Sequence, residues 1–188
     1  MTRLWLVRHG PTGARGMCGW TDLPADLSDQ AALHRLRAAL PRAPVVSSDL
    51  RRAVATADAL QGDRPRLPHA PALREMHFGA WEMRTFSEAE AEDAVLARAL
   101  WEQPGEAAPP GGESWNDLCA RVWAALDRLP AEGEAVVVCH FGPILAALQR
   151  ARGIAAVEAF AQAVEPLSLT VLARGSGGWR VEAVNHRP

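Results

Sequence analysis

The sequence predicts an α/β fold, a three-layer α/β/α sandwich with a mostly parallel central sheet. Short apolar runs of strand-like composition alternate with segments that carry an apolar helical face. Polar or Gly-rich residues follow the strand-like runs directly, as they do in open α/β sheets. The chain has 188 residues, of which 48% are hydrophobic, and is long enough to bury one substantial core. We therefore expect a single domain over residues 1–188.

The first strand–loop–helix unit begins at the N-terminus. Leu4–Val7 is a compact apolar run, which predicts a buried strand that ends at Arg8-His9-Gly10. Residues 11–27 are rich in Gly, Pro and Asp and predict a loop. Ser28 stands where it can cap a helix that runs to about residue 40.

The second unit follows the same pattern. Val45–Ser47 predicts a short strand, and Ser48 or Asp49 stands where it can cap the next helix. Residues 61–84 contain several prolines and predict an irregular segment.

The second half of the chain predicts further helices and strands. Ser87–Glu102 predicts an acidic helix, and the Pro/Gly-rich residues 104–112 predict a surface loop. Ser114 is expected to cap the next helix. Ala135–Cys139 gives the clearest strand pattern in the chain, and Pro143 fits the first turn of the helix after it.

The C-terminal residues alternate between apolar and polar types. Leu167–Leu172 and Trp179–Val184 predict a hairpin around the glycines of 175–178.

Composition excludes several classes of protein. A formal net charge of −2 argues against nucleic acid or an anionic membrane as a partner. All 20 basic residues are Arg, which excludes a Schiff-base lysine and a P-loop lysine. Three cysteines, an odd number without metal-binding spacing, argue against a disulfide framework. No apolar run is long enough for a signal peptide or membrane span, so we expect a cytoplasmic protein.

Basic residues fall at equivalent places in three of these units. Arg8 and His9 follow the first strand, Arg52 lies in the first turn after the second, and His140 follows the strand at 135–139. Ligands of open α/β sheets gather at the carboxyl ends of strands, so these side chains can converge on one anion. Two guanidinium groups with imidazoles would complement a dianionic phosphate.

Six ordered segments resemble the histidine phosphatases, also called the phosphoglycerate-mutase-like superfamily. Each is short, and together they run in family order from residue 4 to about 147. The segments are Leu-Val-Arg8-His9-Gly10-Pro-Thr12, Gly19-Trp20-Thr-Asp22-Leu-Pro24, Ser47-Ser48-Asp49-Leu50-Arg51-Arg52-Ala53, Leu73-Arg-Glu75-Met76-His-Phe78-Gly79-Ala-Trp81-Glu82, and Gly111-Gly112-Glu113-Ser114 with Val137-Val-Cys-His140.

The resemblance implies a catalytic mechanism without metal or cofactor. His9 would be the nucleophile that carries the phosphoryl group. Arg8 and Arg52 would bind the non-bridging oxygens, and His140 would assist them as a cation or as a hydrogen-bond donor. Glu75 would protonate the leaving group and then deprotonate the attacking water, which requires a raised pKa.

The resemblance also implies substrate-binding positions, and the sequence departs from the family pattern at some of them. Pro11 stands where the family usually has Glu, and the Phe141-Gly142 pair replaces a pair of small residues, which leaves the shape of the pocket open. The expected substrate-binding residues are Thr12, Arg15, Gly19, Trp20, His77, Trp81 and Phe141.

Within the superfamily, residues 75–84 resemble those of the α-ribazole phosphatases, so we expect a small phosphate ester as the partner, α-ribazole 5′-phosphate first. An aromatic lip would suit its flat base. Alternatives are a phosphatase of broad sugar-phosphate or nucleotide range, a mutase, a protein phosphohistidine phosphatase and a non-catalytic phosphate-binding module. The sequence allows a homodimer without determining the oligomeric state.

Overall fold

The computed structural model describes residues 1–129 and 132–188 and contains a five-stranded sheet between helices. The predicted α/β sandwich is confirmed. The strands are β1 (Thr2–Arg8), β2 (Val45–Ser47), β3 (Gly133–Cys139), β4 (Leu169–Gly175) and β5 (Gly178–His186).

The sheet is parallel in only part of its width. Its order is β2-β3-β1-β4-β5. Strands β2, β3 and β1 are parallel, whereas β4 runs antiparallel to β1 and β5 antiparallel to β4. The prediction of a mostly parallel sheet therefore holds for β2, β3 and β1 alone. Only two residues separate β4 from β5, and so short a turn can join only antiparallel strands.

Seven α-helices lie in the described residues, together with short 3-10 turns at Pro71–Leu73 and Gly79–Trp81. The helices are α1 (Gln30–Ala39), α2 (Arg51–Gln61), α3 (Phe86–Glu92), α4 (Ala94–Glu102), α5 (Trp115–Asp127), α6 (Phe141–Arg152) and α7 (Ala156–Phe160).

The caps of these helices differ in part from the sequence prediction. Ser114 caps α5 as predicted, with its side chain accepting from the N–H of Asp117. Helix α1 is capped by Asp29, one residue after the predicted Ser28. Helix α2 has no side-chain cap, so the prediction of Ser48 or Asp49 in that role is wrong. Both of those side chains have partners elsewhere in the fold.

The predicted acidic helix over 87–102 is two helices. Helix α3 ends at Glu92, and Asp93 accepts from the N–H of Leu96 as the N-cap of α4. The φ of −147° at Asp93 is extended and breaks the helical path. Helix α7, with five residues, was not predicted, because so short a segment shows too few turns for a periodic pattern.

The central sheet separates two hydrophobic clusters. Leu4 and Leu6 of β1 face the cluster under α3–α6, and Val7 faces the cluster under α1 and α2. Side chains of a strand alternate between faces, so an apolar run such as β1 serves both layers. In the part of the chain that the structure describes, no helix has the length and apolar character needed to span a membrane.

Candidate active site

The carboxyl ends of the three parallel strands meet at one edge of the sheet. His9 follows β1 and donates its N–H to the carbonyl oxygen of Cys139 at 3.0 Å. Ser48 follows β2 and donates its N–H to the carbonyl of Val138 at 3.2 Å. His140 follows β3. Parallel pairing therefore places residues that are distant in sequence at one site.

His9 is held in one tautomer. Its side chain is buried, and its Nδ1 lies 2.6 Å from the carbonyl oxygen of Gly10. A carbonyl only accepts, so Nδ1 carries the proton and Nε2 keeps its lone pair. Burial lowers the pKa of His9 to about 3, with nearby Arg52 and Arg8 adding to the shift and the Gly10 hydrogen bond opposing it. The ring is therefore neutral near pH 7.

Arg52 is a buried cation fixed against the loop before α1. Its Nε donates to His9 Nε2 at 3.2 Å, and its Nη1 donates to the carbonyl of Thr21 at 3.0 Å. Its Nη2 donates to the carbonyls of Gly19 at 2.6 Å and Cys18 at 3.4 Å. Its two Nη groups thus hold the loop, while its Nε–H donates to the His9 ring and so lies where a ligand of that ring would bind.

His140 lies next to His9 in the interior. The two ring centroids are 4.9 Å apart, and the planes are inclined by 59°. Burial lowers the pKa of His140 well below its ordinary value, and the neighbouring His9 and Arg52 lower it further. Its Nε2 lies 2.6 Å from the hydroxyl oxygen of Ser48. The imidazole is therefore neutral and is oriented by that hydroxyl group.

Arg8, the residue before His9, is held by a backbone carbonyl and by an aromatic ring. Its Nη1 donates to the carbonyl of Val164 at 2.5 Å, and its guanidinium carbon lies 5.2 Å from the centroid of the Phe141 ring. Burial lowers the pKa of Arg8, while Glu75 and Glu165 oppose the shift. An arginine stays protonated after such a shift, because its ordinary pKa lies above 12.

Two buried nitrogen atoms near His9 lack a hydrogen-bond partner in residues 1–129 and 132–188. They are Nε of Arg8 and Nδ1 of His140. An unpartnered buried donor is costly, by roughly 1–3 kcal/mol, so such atoms mark places where a ligand is accommodated. With Arg52, these groups can donate several hydrogen bonds to an anion beside His9.

Glu75 is a buried carboxyl group at the N-terminus of α6. Its Oε1 accepts from the N–H groups of Met76 at 2.9 Å and Gly142 at 3.0 Å. Burial raises the pKa of Glu75, although these hydrogen bonds and the charges of Arg52 and Arg8 work against the rise. A carboxyl group whose pKa is raised is better suited than an ordinary glutamate to donate a proton to a leaving group.

Gly142, the second residue of the Phe141-Gly142 pair, lies directly against the carboxyl group of Glu75. A Cβ atom on this residue would lie 2.3 Å from Glu75 Oε1, so only glycine leaves room for the carboxyl group. Its neighbour Phe141 is half-buried against Arg8. The Phe141-Gly142 pair thus places an aromatic ring beside Arg8 and a residue without a side chain beside Glu75.

Arg121 is a member of the site region that sequence reasoning missed. It forms an ion pair with Glu113 and donates to the carbonyls of Ala72 at 2.9 Å, Arg74 at 2.7 Å and Glu75 at 2.8 Å. These bonds hold the backbone on which Glu75 is carried. No signal in the sequence marks Arg121, because its partners lie 8 to 49 positions away.

Glu82 is the second residue whose role the sequence did not reveal, although it ends the family-like segment at residues 73–82. Its carboxylate accepts from the N–H groups of Gly19, Trp20 and Thr21, from the Thr21 hydroxyl and from the N–H of Phe78. The carbonyls of the same loop accept from Arg52. The loop is therefore held between a carboxylate and a guanidinium group.

Trp20 is the aromatic residue exposed at this edge of the site. The residue is 37% exposed, and its Nε1–H donates to the carbonyl of Glu75 at 2.8 Å. The His77 ring lies 4.5 Å from it, and the Arg74 guanidinium lies 4.7 Å from it. Trp20 is thus bonded to the backbone of Glu75, and His77 packs beside Trp20. Gly19 is buried in the loop backbone and can offer a ligand no side chain.

Three other expected substrate-binding residues, Trp81, Thr12 and Arg15, share no hydrogen bond or ring contact with His9, Arg52 or Glu75. Trp81 is 1% exposed, lies in the hydrophobic cluster and donates its Nε1–H to Glu92 at 3.3 Å, so its buried ring does not offer the surface that its predicted substrate-binding role requires. Thr12 accepts from the N–H of Ala14 at 3.3 Å, which is a turn contact. Arg15 is exposed, and its side chain makes no hydrogen bond or ion pair to any described residue.

Comparison with protein families relates this chain to known proteins. The model of the histidine phosphatase superfamily (branch 1) matches residues 4–187. The adenosylcobalamin/α-ribazole phosphatase of Salmonella typhimurium is 34% identical over 150 residues, which cover 74% of each protein. The glucosyl-3-phosphoglycerate phosphatase of Mycolicibacterium vanbaalenii is 38% identical over 167 residues, 79% of this chain and 73% of that protein.

Some relatives are longer, and solved structures share the fold. A bifunctional protein of Mycobacterium tuberculosis is 39% identical over 155 residues, and the match spans 76% of this chain but 42% of the length of that relative. The crystal structure of the α-ribazole phosphatase from Shigella flexneri superposes with a TM-score of 0.83 at 26% identity, covering 98% of this chain and 96% of that one.

Proposed function

This chain belongs to the histidine phosphatase superfamily, and on that premise we propose that it hydrolyses a small phosphomonoester through a phosphohistidine formed on His9. The state of His9 carries the proposal. Its Nδ1–H donates to the Gly10 carbonyl, its Nε2 lone pair accepts a hydrogen bond from Arg52 Nε in the resting protein, and its low pKa keeps that lone pair unprotonated. A neutral imidazole held in this way is a competent nucleophile.

In the first step the Nε2 lone pair of His9 attacks phosphorus. An N–P bond forms while the ester P–O bond breaks, and the leaving oxygen keeps the bonding electron pair. Glu75, whose protonated form is favoured by burial, gives its proton to that oxygen. The products of this step are an alcohol, a phosphohistidine and a Glu75 carboxylate.

In the second step a water molecule attacks the same phosphorus from the side that the alcohol has left. The Glu75 carboxylate takes a proton from the water, the N–P bond breaks, and its electron pair returns to His9 Nε2. Inorganic phosphate leaves, and both residues regain their starting protonation states. One carboxyl group thus serves as acid and then as base.

Two guanidinium groups and the neutral imidazole of His140 would bind the phosphoryl oxygens throughout. Arg52 Nε, Arg8 Nε and His140 Nδ1 are donors near the ring, and the latter two have no partner in the described part of the chain. Such groups stabilise the charge of a phosphoryl transition state without a metal ion. Activity is therefore expected to persist in excess chelator.

For the substrate we propose α-ribazole 5′-phosphate. Two observations support it: the relatives named α-ribazole phosphatase, and the exposed ring of Trp20 beside His77, which offers apolar surface to a flat base. The second candidate is glucosyl-3-phosphoglycerate, a glycoside of a phosphorylated glycerate, which is favoured by the relatives named as phosphatases of that compound. We also propose that residues 1–188 act as a single domain, in a reducing cytoplasm where free thiols persist.

Trapping the intermediate tests the mechanism. Rapid acid-free quenching with a 32P-labelled ester is expected to give a phosphoprotein that is stable to base and labile to acid. His9→Ala should give none, whereas His34→Ala, which changes an exposed histidine of α1, should label like the wild type. Labelling of the His9→Ala protein would refute the proposal.

The acid role of Glu75 has its own test. Glu75→Gln is expected to slow turnover of an alkyl phosphate by about 10²- to 10⁴-fold, the usual contribution of general acid–base catalysis. With p-nitrophenyl phosphate the first step should be slowed far less, because that leaving group needs no proton. Equal losses in the first step for both esters would argue against this role.

Comparing kcat/KM values tests the substrate. The panel is α-ribazole 5′-phosphate, glucosyl-3-phosphoglycerate, 3-phosphoglycerate and simple sugar phosphates. A clear preference for the ribazole ester is expected. Equal values across the panel would reject the specific assignment and leave a phosphatase of broad range, and conversion of 3-phosphoglycerate to its 2-isomer would indicate a mutase.

A further inference from the structure

His140 depends on one neighbouring side chain for its orientation. The ring is 0% exposed, and its Nε2 lies 2.6 Å from the hydroxyl oxygen of Ser48, which is also 0% exposed. Its Nδ1 is buried and has no partner in residues 1–129 and 132–188. A neutral imidazole carries one proton, so the direction of the hydrogen bond to Ser48 decides which nitrogen holds it.

Counting the hydrogen bonds separates the two tautomers. If Nε2 carries the proton, it donates to Ser48, and both the Ser48 hydroxyl proton and the Nδ1 lone pair are then buried without a partner. If Ser48 donates to Nε2, the hydroxyl proton is satisfied, and the N–H of Nδ1 alone is left. Buried unsatisfied groups cost free energy, so the second arrangement is favoured.

We propose that Ser48 is a positioning residue, which donates to His140 Nε2 and so keeps the proton on Nδ1, where it can be donated to an oxygen of the transferred phosphoryl group. This inference rests on the proposed function. Ser48 touches no reacting atom and acts through the ring of His140. A group such as this, behind a reacting imidazole, fixes both its tautomer and its orientation.

The backbone around Ser48 supports this role. Its N–H donates to the carbonyl of Val138 at 3.2 Å, so the end of β2 is tied to β3 two residues before His140. The hydroxyl does not cap α2, whose N-cap residue Leu50 has no side-chain hydrogen bond. The hydroxyl group of Ser48, which the sequence suggested as a helix cap, is thus used to bond to the His140 imidazole.

The adjacent serine is a matched control. Ser47 is also 0% exposed, but its hydroxyl oxygen accepts from Arg66 Nη2 at 2.9 Å and lies 3.2 Å from His69 Nδ1. Ser47→Ala removes the same group from the next residue of the chain without touching His140. A loss seen with Ser48→Ala alone is therefore not a general effect of changing this strand end.

Nitrogen NMR of the resting protein gives a direct test. With 15N-labelled histidine, and the His140 signals assigned by their loss in His140→Gln, the wild type is expected to show a protonated Nδ1 and an unprotonated Nε2. Ser48→Ala should shift these signals toward a mixture of tautomers, and Ser47→Ala should leave them unchanged. A wild-type ring protonated on Nε2 would overturn the proposal, and this measurement needs no Ser48 variant to fold.

Kinetics gives the second test. Ser48→Ala is expected to lower kcat by about 10- to 100-fold, the range seen for partners behind a catalytic group, with a smaller change in KM. Ser48→Cys, a weaker donor, should fall between wild type and alanine. Wild-type kcat in folded Ser48→Ala would overturn the role of Ser48. If the wild type itself forms no phosphohistidine, the proposed function fails instead, while the NMR result still decides the tautomer.

Discussion

Replacing Gly142 with alanine tests whether the candidate acid is held by the start of α6. The N–H of Gly142 donates to Glu75 Oε1 at 3.0 Å and Oε2 at 3.2 Å. A Cβ atom here would lie 2.3 Å from Oε1 and 3.1 Å from Leu118 Cδ1. Ordinary contacts begin near 3.5 Å, so the carboxyl group has to move by about 1 Å.

The expected loss follows from that displacement. A misplacement of about 1 Å in a catalytic group can cost on the order of 10²-fold in rate. Gly142→Ala is therefore expected to lower kcat for an alkyl phosphate by about 100-fold. Formation of the phosphohistidine from p-nitrophenyl phosphate should change much less, because its leaving group needs no acid. Steady-state and rapid-quench kinetics with the two esters measure the difference.

Stability gives an independent check of the same contact. An alanine inside a helix is normally more stable than a glycine by roughly 0.5–1 kcal/mol. Overpacking a tight site costs about 1–3 kcal/mol, so the expected net change at Gly142 is a loss. Gly177→Ala, at a turn where an added Cβ meets nothing within 4 Å, should change neither Tm nor kcat. A Gly142→Ala protein with wild-type kcat on the alkyl ester would refute the reasoning.

Two further predictions concern the loop at residues 18–21 and its aromatic residue. Burial pushes the pKa of Glu82 up, but hydrogen bonds from the Thr21 hydroxyl and from backbone N–H groups outweigh it and leave this pKa lowered. Its stabilising effect is therefore complete above the ordinary carboxyl pKa and is lost as pH falls through the lowered value. Glu82→Gln should lower Tm at pH 7 and by less at pH 3, and an equal difference at both would contradict the prediction. Trp20→Phe keeps a ring beside His77 but removes the N–H donated to Glu75, so it should raise KM for α-ribazole 5′-phosphate less than Trp20→Ala does. Equal increases for this ester and for a sugar phosphate would exclude stacking of the base on Trp20.

Local patterns predicted many elements of the fold. Strand β2 begins and ends as predicted, and Ser114 caps α5 with a reciprocal contact to Asp117. Such features depend on neighbours in the chain, as caps do, or on an apolar run, as buried strands do. The resemblance to the histidine phosphatases is likewise confirmed, over residues 4–187.

Other predictions failed where one local pattern allowed two uses. Ser48 and Asp49 have the residue types of helix caps, yet Ser48 bonds to His140 and Asp49 to Arg74. Trp81 lies in a motif of the family and was expected to bind substrate, yet its ring lies in the hydrophobic core. In each case the deciding partner belongs to another element of the fold, and nothing nearby in the sequence identifies it.

The sequence by itself determined the α/β class, the family, and which residue types follow the ends of the parallel strands. Only the tertiary structure decided which atoms meet: the proton on His9 Nδ1, the loop carbonyls that hold Arg52, and the amide of Gly142 against Glu75. The physical reason is range. Periodicity and capping act over a few residues, whereas these hydrogen bonds, apart from that of His9, join residues 31 to 67 positions apart.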